Sequence, residues 1–272
     1  MLFPTQQINQ IKTQGETIMV RNYVGTNGDD YKKATKTSPF IGRDYWESWH
    51  MAGGFGDDTL IGGDLHDTLH GGGYSHDSLV GGKGNDTYYI DSYSDRIVEN
   101  YNEGTDTVYS RVNHTLGNNF ENLYLIPDNR AVNGFGNYEN NYIKGSSYNN
   151  FLFGDAGHDT IDGDAGNDTI RGASSANYFY EKDTLIGGSG NDLFSLGIGN
   201  DPFYDKSGYA DYATVKDFRI DSDRLQLTGK RSDYQVSGSG NGIFYKNDLI
   251  ATFENHSVAS LTYTLDHRTN YV

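Results

Sequence analysis

Residues 53–70 read GGFGDDTLIGGDLHDTLH. The first nine, GGFGDDTLI, are followed at once by nine that nearly copy them. Glycines open each copy, an aspartate stands sixth and a leucine eighth. In the same frame, rows begin at Gly71 (GGGYSHDSLV, one residue longer) and at Gly81 (GGKGNDTYY). The sixth positions are Asp58, Asp67, Asp77 and Asp86; the eighth are Leu60, Leu69, Leu79 and Tyr88. A second block starts rows at Gly136 (GNYENNYIK), Gly145 (GSSYNNFLF), Gly154 (GDAGHDTID) and Gly163 (GDAGNDTIR). The row at Gly172 takes in extra residues before Asp183-Thr184-Leu185, and GGSGNDLFS follows from Gly187. Its sixth positions are Asn141, Asn150, Asp159, Asp168, Asp183 and Asp192; its eighth are Ile143, Leu152, Ile161, Ile170, Leu185 and Phe194.

A helix does not carry this pattern. Paired glycines would cost about 1 kcal/mol each in a helix interior, and the apolar spacing is not 3.6. A tight six-residue turn followed by a three-residue strand does carry it, with the middle strand residue pointing inward. Glycine supplies the positive φ values such turns need. Two rows make one coil, and stacked coils make a parallel β-roll with the eighth-position side chains as a thin core. The predicted fold is all-β: a right-handed parallel β-roll in two blocks, joined by wider coils and closed by a C-terminal antiparallel β cap, which shields the last open strands.

The sixth-position acid explains the glycines. In the stack Asp58 faces Asp77, Asp67 faces Asp86, Asp159 faces Asp183 and Asp168 faces Asp192. Carboxylates about 4.8 Å apart repel unless a cation lies among them. Glycine-rich turns leave carbonyl oxygens free to aim at the same place. A set of hard oxygens is what Ca²⁺ prefers, whereas Mg²⁺ sheds water reluctantly, and zinc is disfavoured without Cys or paired His. The expected cofactor is therefore several Ca²⁺ ions. The expected metal sites comprise Asp58, Asp67, Asp77, Asp86, Asp159, Asp168, Asp183 and Asp192, with Gly53, Gly62, Gly82, Gly84, Gly154, Gly163, Gly166, Gly188 and Gly190 of the turns. Asp30, in GTNGDDY at 25–31, closes a first turn of the same kind. Asp217, Asp221 and Asp223 are candidates for one further ion. Asn141 and Asn150 sit in rows lacking the fourth-position glycine (Glu139, Tyr148) and read as a dry or weak portion with amide ladders.

These rows match the nonapeptide G-G-x-G-x-D-x-U-x. The chain thus resembles the RTX, or haemolysin-type, calcium-binding family on GGFGDDTLI, GGKGNDTYY, GDAGHDTID, GDAGNDTIR and GGSGNDLFS. Its connecting and C-terminal segments resemble, more loosely, those of bacterial and especially cyanobacterial RTX proteins. The resemblance implies calcium-driven folding and export by a type I-like route to the outside of the cell. Such rolls adjoin enzymes in the family, so an accessory or catalytic role in a calcium-dependent epimerase, hydrolase or biosynthetic alkylating or cyclising enzyme is the alternative to a structural or binding module.

The organisation expected is an N-terminal segment (1–24), a first roll block (25–90) with an aromatic insertion at 32–52, irregular coils (91–132), a second block (133–200) and the cap (201–272). DYATVKDFRIDSDRLQL, GIFYK, DLIATF and LTYTL read as antiparallel strands of the cap. Trp46 and Trp49 in the first insertion, and Tyr178 and Tyr180 at 173–182, read as aromatic rings projecting from the roll. They are candidates for contacting a glycan, a small aromatic ligand or a partner enzyme domain. His66, His76 and His158 take the fifth position and read as substituted turn residues.

Composition sets the outer bounds. The 272 residues carry a formal charge of −16. That disfavours nucleic acid, whose phosphates attract Lys and Arg. There are 35 glycines and no cysteine, so no disulfide or thiolate site exists. No apolar run reaches a membrane span, and residues 1–24 show no apolar core of a cleaved signal peptide. A cytoplasmic location stays open beside the secreted one. No G-x-S-x-G, H-E-x-x-H or phosphate loop is present, so no catalytic residue is assigned and an enzyme is the less favoured reading.

Overall fold

The structure is a computed structural model and describes residues 7–13, 16–34, 47–127, 130–174, 180–198, 201–204, 211–238, 241–254, 257–267 and 269–271. The chain divides into two compact units. The first holds residues 1–113 and 117–122, the second 114–116 and 123–272.

The first unit opens with an antiparallel hairpin of β1 (Gln7–Thr13) and β2 (Glu16–Val24). Short strands follow: β3 (Tyr31–Lys33), β4 (Glu47–Ala52), β5 (Thr59–Ile61), β6 (Thr68–His70), β7 (Ser78–Val80), β8 (Thr87–Ile90), β9 (Arg96–Val98) and β10 (Thr107–Ser110). They alternate between two parallel sheets, ordered β2-β4-β6-β8-β10 and β3-β5-β7-β9. Each strand therefore pairs with the one two rows on. The partners are the eighth positions: Leu60 with Leu79 and Leu69 with Tyr88. All four are fully buried, each contributing about 1.5–3 kcal/mol on burial.

The second unit repeats this arrangement. One sheet begins with β11 (His114–Thr115) and the other with β12 (Asn122–Leu125). Next come β13 (Gly134–Phe135), β14 (Tyr142–Lys144), β15 (Phe151–Asp155), β16 (Thr160–Asp162), β17 (Thr169–Ala173), β18 (Lys182–Ile186) and β19 (Leu193–Ser195). Ile143 pairs with Ile161 and Ile161 with Leu185; Leu152 pairs with Ile170 and Ile170 with Phe194. A small antiparallel pair, β20 (Gly197–Ile198) and β21 (Asp201–Pro202), follows. The all-β parallel roll expected from the repeat is thus the observed fold.

The C-terminal region is less antiparallel than its sequence suggests. β22 (Tyr212–Val215) and β23 (Arg224–Leu227) extend the two parallel sheets, pairing with β18 and β19. Among the described residues that follow, β24 (Tyr234–Val236), β25 (Gly242–Tyr245) and β26 (Asp248–Phe253) form an antiparallel meander, and β26 also pairs in parallel with β22. LTYTL is helical, within α1 (Val258–His267). Ser257 caps it by accepting from Ser260 N at 3.2 Å. Leu261 and Leu265, four apart and both fully buried, give it a helical rather than an alternating apolar face. β27 (Thr269–Tyr271) then pairs in parallel with β23.

The expected insertion at 32–52 also begins and ends inside the roll, since β3 and β4 pair in parallel with β5 and β6. Trp49 needs correction. It does not project: it is 1% exposed, its backbone N donates to Asp67 Oδ1 at 2.6 Å, and Lys32 Nζ lies 4.6 Å from its ring centre. Met51 fills the eighth position against Leu69, which puts Trp49 at a sixth position. Trp46 and Tyr178 lie outside the described residues. Tyr180 is exposed.

Candidate metal centres in the turns

Each turn is tied to the turn two rows away by a reciprocal pair of side-chain ladders. In the first, the sixth-position carboxylate of the later row accepts the sixth-position N–H of the earlier one. Asp30, Asp58 and Asp67 donate to Asp58, Asp77 and Asp86 at 2.7, 2.9 and 2.6 Å. Asp159 and Asp168 donate to Asp183 and Asp192 at 2.8 and 2.9 Å. In the second ladder, the fifth-position side chain of the earlier row accepts the fifth-position N–H of the later row. Asn149 and Asn167 accept from Asn167 and Asn191 at 2.7 Å each. His66 and His158 do the same through Nδ1, from Asn85 at 2.5 Å and Lys182 at 2.9 Å. Histidine here replaces the asparagine carbonyl, which requires the neutral ring with its proton on Nε2. His76 donates its backbone N–H to Asp57 Oδ1 at 3.0 Å, and its Nδ1 lies 3.5 Å from the same oxygen.

The carboxylates are the informative groups. Asp58, Asp67, Asp77, Asp86, Asp159, Asp168, Asp183 and Asp192 are each about 1% exposed. The second oxygen, Oδ2, of Asp58, Asp86, Asp159 and Asp168 is buried with no hydrogen-bond donor in reach. Buried carboxylate oxygens without a donor are costly. Burial, first of all, pushes Asp67 and Asp168 up to about 7, Asp86 to about 8 and Asp159 to about 9; repulsion from Asp183 adds to the last.

The first-position glycines are where these oxygens gather. A Cβ on Gly154 would lie 2.1 Å from Asp159 Oδ2 and 2.6 Å from the Gly172 carbonyl oxygen. Gly53 and Gly163 stand in the same relation to Asp58 with Gly71, and to Asp168 with Gly187. At Gly62 the convergent oxygens are Asp67 Oδ2 and the Gly81 carbonyl; that carboxylate also accepts Gly63 N at 2.6 Å. The fourth-position turn is left-handed, as at Gly166 (φ +125°), where a side chain would be strained. Carboxylate and carbonyl oxygens gathered in this way form the donor chemistry of Ca²⁺, and at Asp58, Asp159 and Asp168 the converging Oδ2 has no donor.

The asparagine rows make the contrast. Asn150 Oδ1 accepts from Ser146 N at 2.7 Å, and its Nδ2 donates to the Val132 carbonyl. The amide brings its own proton to an oxygen that an aspartate would leave facing another oxygen. Asn150 therefore closes its turn through amide-to-backbone bonds, and Asn141 Oδ1 likewise accepts Asn137 N at 2.8 Å.

Three groups escaped the sequence reading. Asp95 accepts from Asp77 N at 3.3 Å and Asp106 from Asp86 N at 2.7 Å. Both hold sixth positions in rows that have lost their opening pair of glycines. Glu181, beside Asp183, is buried with Oε1 lacking a donor and pushed up to about 8, by burial before the repulsion of Asp183. The strand register through Ile97 and Leu79 is the signal that would have found Asp95. Asp211, outside every row, is also buried.

At the C-terminal end Asp223 takes the sixth position above Asp192, whose N donates to it at 3.1 Å. Arg219 Nη2 bonds the Gly190 carbonyl at 2.5 Å, Asp192 Oδ2 at 3.2 Å and Asp223 Oδ1 at 3.2 Å. A guanidinium already supplies positive charge to these oxygens. Asp217 instead accepts Gly187 N and Gly188 N, both at 2.7 Å, and so does not converge with Asp223.

The model of the RTX calcium-binding nonapeptide repeat matches this chain in four copies, over residues 66–91, 135–170 and 181–201. No curated protein matches the chain in sequence.

Proposed function

From the RTX calcium-binding repeats that the chain carries, we propose that it is a module which folds on Ca²⁺ outside the cell and then serves as a rigid structural or binding scaffold. The observation that carries this reading is the set of buried Asp Oδ2 atoms without donors at Asp58, Asp86, Asp159 and Asp168. Asp58, Asp67, Asp77, Asp86, Asp159, Asp168 and Asp183 would hold the ions, together with turn carbonyls. When bound, Ca²⁺ supplies the charge that lets these carboxylates stay ionised while buried.

Calcium sites of extracellular modules have Kd values of roughly 10⁻⁴–10⁻³ M. Sites in that range stay empty in a cytoplasm and fill after export, which couples folding to arrival. A binding face is available on the outer side of β4, β6 and β8. There His70 packs on Tyr89 at 5.6 Å and Tyr89 stacks on Tyr109 at 5.1 Å. They adjoin an open groove of about 350 Å³ lined by His50, His70, Tyr89 and Arg111. Planar rings beside hydrogen-bonding groups suit a sugar face.

Far-UV circular dichroism during a calcium titration of the metal-stripped chain tests the reading. Cooperative gain of β signal with a midpoint near 10⁻⁴–10⁻³ M is expected. A chain fully folded in chelator at neutral pH sinks the calcium-driven part of the proposal.

A further inference from the structure

The first unit contains a cluster in which Asp86, from the row GGKGNDTYY, meets two acids that lie outside the nonapeptides. β9 ends at Val98, and Glu99 takes the place that glycine holds at the start of other rows. The turn from Glu99 to Asp106 is two residues wider than a repeat turn (Gly81 to Asp86). That extra room admits a carboxylate side chain where the standard turn admits none. Glu99 is 7% exposed. Its Oε1 accepts a hydrogen bond from the Tyr88 hydroxyl. Its Oε2 is buried and has no donor, and neither has Asp86 Oδ2. One oxygen each of Asp86, Glu99 and Asp106 lies within 4.8 Å of the others.

Gly81 shows how closely they converge. A Cβ there would lie 2.2 Å from Asp86 Oδ2, 2.3 Å from the Tyr88 hydroxyl and 2.4 Å from Glu99 Oε1. The remaining oxygens are pinned from outside: Asp86 Oδ1 by Asp67 N at 2.6 Å, and Asp106 Oδ1 by Asp86 N at 2.7 Å. Asp106 N in turn donates to Glu121 Oε2 at 2.6 Å, and Asn119 Nδ2 holds the Glu99 carbonyl at 3.0 Å. Among the described residues no lysine or arginine forms an ion pair with any of the three acids.

We propose that Asp86, Glu99 and Asp106 form a separate three-carboxylate Ca²⁺ site, tighter than the repeat sites, with Glu99 as the ligand that distinguishes it. The proposal rests on the calcium reading of the roll. A repeat turn offers two stacked carboxylates, whereas this site offers three. Calcium affinity rises with ligand charge and site rigidity, and both are greater here. The site therefore fills first as calcium rises. It anchors the C-terminal end of the first block, where the paired glycines that open the rows run out.

The test uses the full chain, stripped of metal and titrated with Ca²⁺ by calorimetry and with Tb³⁺ by luminescence excited through tyrosine. Wild type is expected to show one tight ion ahead of a weaker class. Glu99→Gln is expected to weaken that ion about tenfold or more and leave the weaker class in place. Tyr88→Phe keeps every carboxylate. It is expected to remove most of the Tb³⁺ emission from the first equivalent, because the hydroxyl-bearing ring touches Glu99. An unchanged tight class in Glu99→Gln, or unchanged first-equivalent emission in Tyr88→Phe, overturns this site while the repeat sites stand. A wild-type chain that binds no calcium overturns the underlying reading instead. Should Glu99→Gln fail to fold at any calcium concentration, the Tyr88→Phe emission alone decides.

Discussion

Asp159→Asn is expected to stabilise the metal-free chain and weaken the calcium-loaded one. Asp159 Oδ1 accepts Asn141 N at 2.8 Å, while Oδ2 is buried without a donor. Burial first, then Asp183, raises its carboxyl from 3.8 to about 9. Each pH unit over which the folded chain keeps a proton that the unfolded chain has lost costs about 1.4 kcal/mol. At pH 8 the aspartate thus opposes metal-free folding by on the order of 5 kcal/mol. An amide removes that titration. It still has to be desolvated, at about 1–3 kcal/mol, so a net gain of about 2–4 kcal/mol is expected without metal. Asn150 shows that the turn accepts an amide at this position. In calcium the sign reverses, because one ligand is lost. An ion at a concentration of about 100 Kd contributes about 2.7 kcal/mol, and that contribution is what disappears. The assay is dichroism at pH 8: folding by a stabilising osmolyte in metal-free buffer, and urea unfolding in calcium. Destabilisation in both conditions, or an unchanged calcium midpoint, refutes the assignment of Asp159 as a ligand whose charge needs an ion.

In metal-free buffer the β signal is expected to grow as pH falls from 8 to 5. Asp67, Asp86, Asp159 and Asp168 all have folded values above 3.8, so the folded chain binds more protons and loses stability as pH rises through that window. A signal that falls on acidification contradicts this. Saturating calcium should reverse or flatten the trend, since protons then compete with the ion. His158→Asn should leave the melting temperature nearly unchanged while His158→Ala lowers stability by about 1 kcal/mol, because only the first keeps an acceptor for Lys182 N; equal losses would remove the ladder role of Nδ1. Arg219→Gln should make the C-terminal turn depend on calcium. Amide exchange at residues 187–192 is then expected to be protected only with the ion present, and protection that stays independent of calcium would show that the guanidinium does not stand in for one.

The eighth-position pairs of both blocks were legible because glycine, aspartate and an apolar residue recur in one frame, and the strand register follows from the period alone. Asp95 and Asp106 were not legible. Once the opening pair of glycines is gone, an aspartate in DSYSDRIV or EGTDTVY looks like any turn acid, and only pairing of Ile97 with Leu79 or Val108 with Tyr88 gives it a position. Trp49 was misread for a related reason. A tryptophan amid polar residues suggests a projecting ring, but its row carries Met51 in the core and leaves the ring to close the roll under Lys32. The parallel course of β22 and β23 was hidden because a three- or four-residue strand in a roll and one in a hairpin share the same alternation.

Taken together, the sixth positions read as a series of choices about charge. Where the residue is asparagine, the side chain carries its own proton donor, and Asn150 spends it on the Val132 carbonyl. Where it is Asp192, Arg219 brings a guanidinium. Where it is Asp183, the Tyr204 hydroxyl donates to Oδ2, and Tyr204 is itself buried. Asp58, Asp86, Asp159 and Asp168 have none of these, and their Oδ2 atoms stay without a donor. The backbone geometry is nearly the same in all cases, since each accepts or donates in the same reciprocal ladders. What varies is only the source of the compensating proton or charge. The need for an ion is therefore local to particular turns rather than a property of the whole roll, and the turns closed by Asn150 and Arg219 are the ones able to hold their shape before calcium arrives.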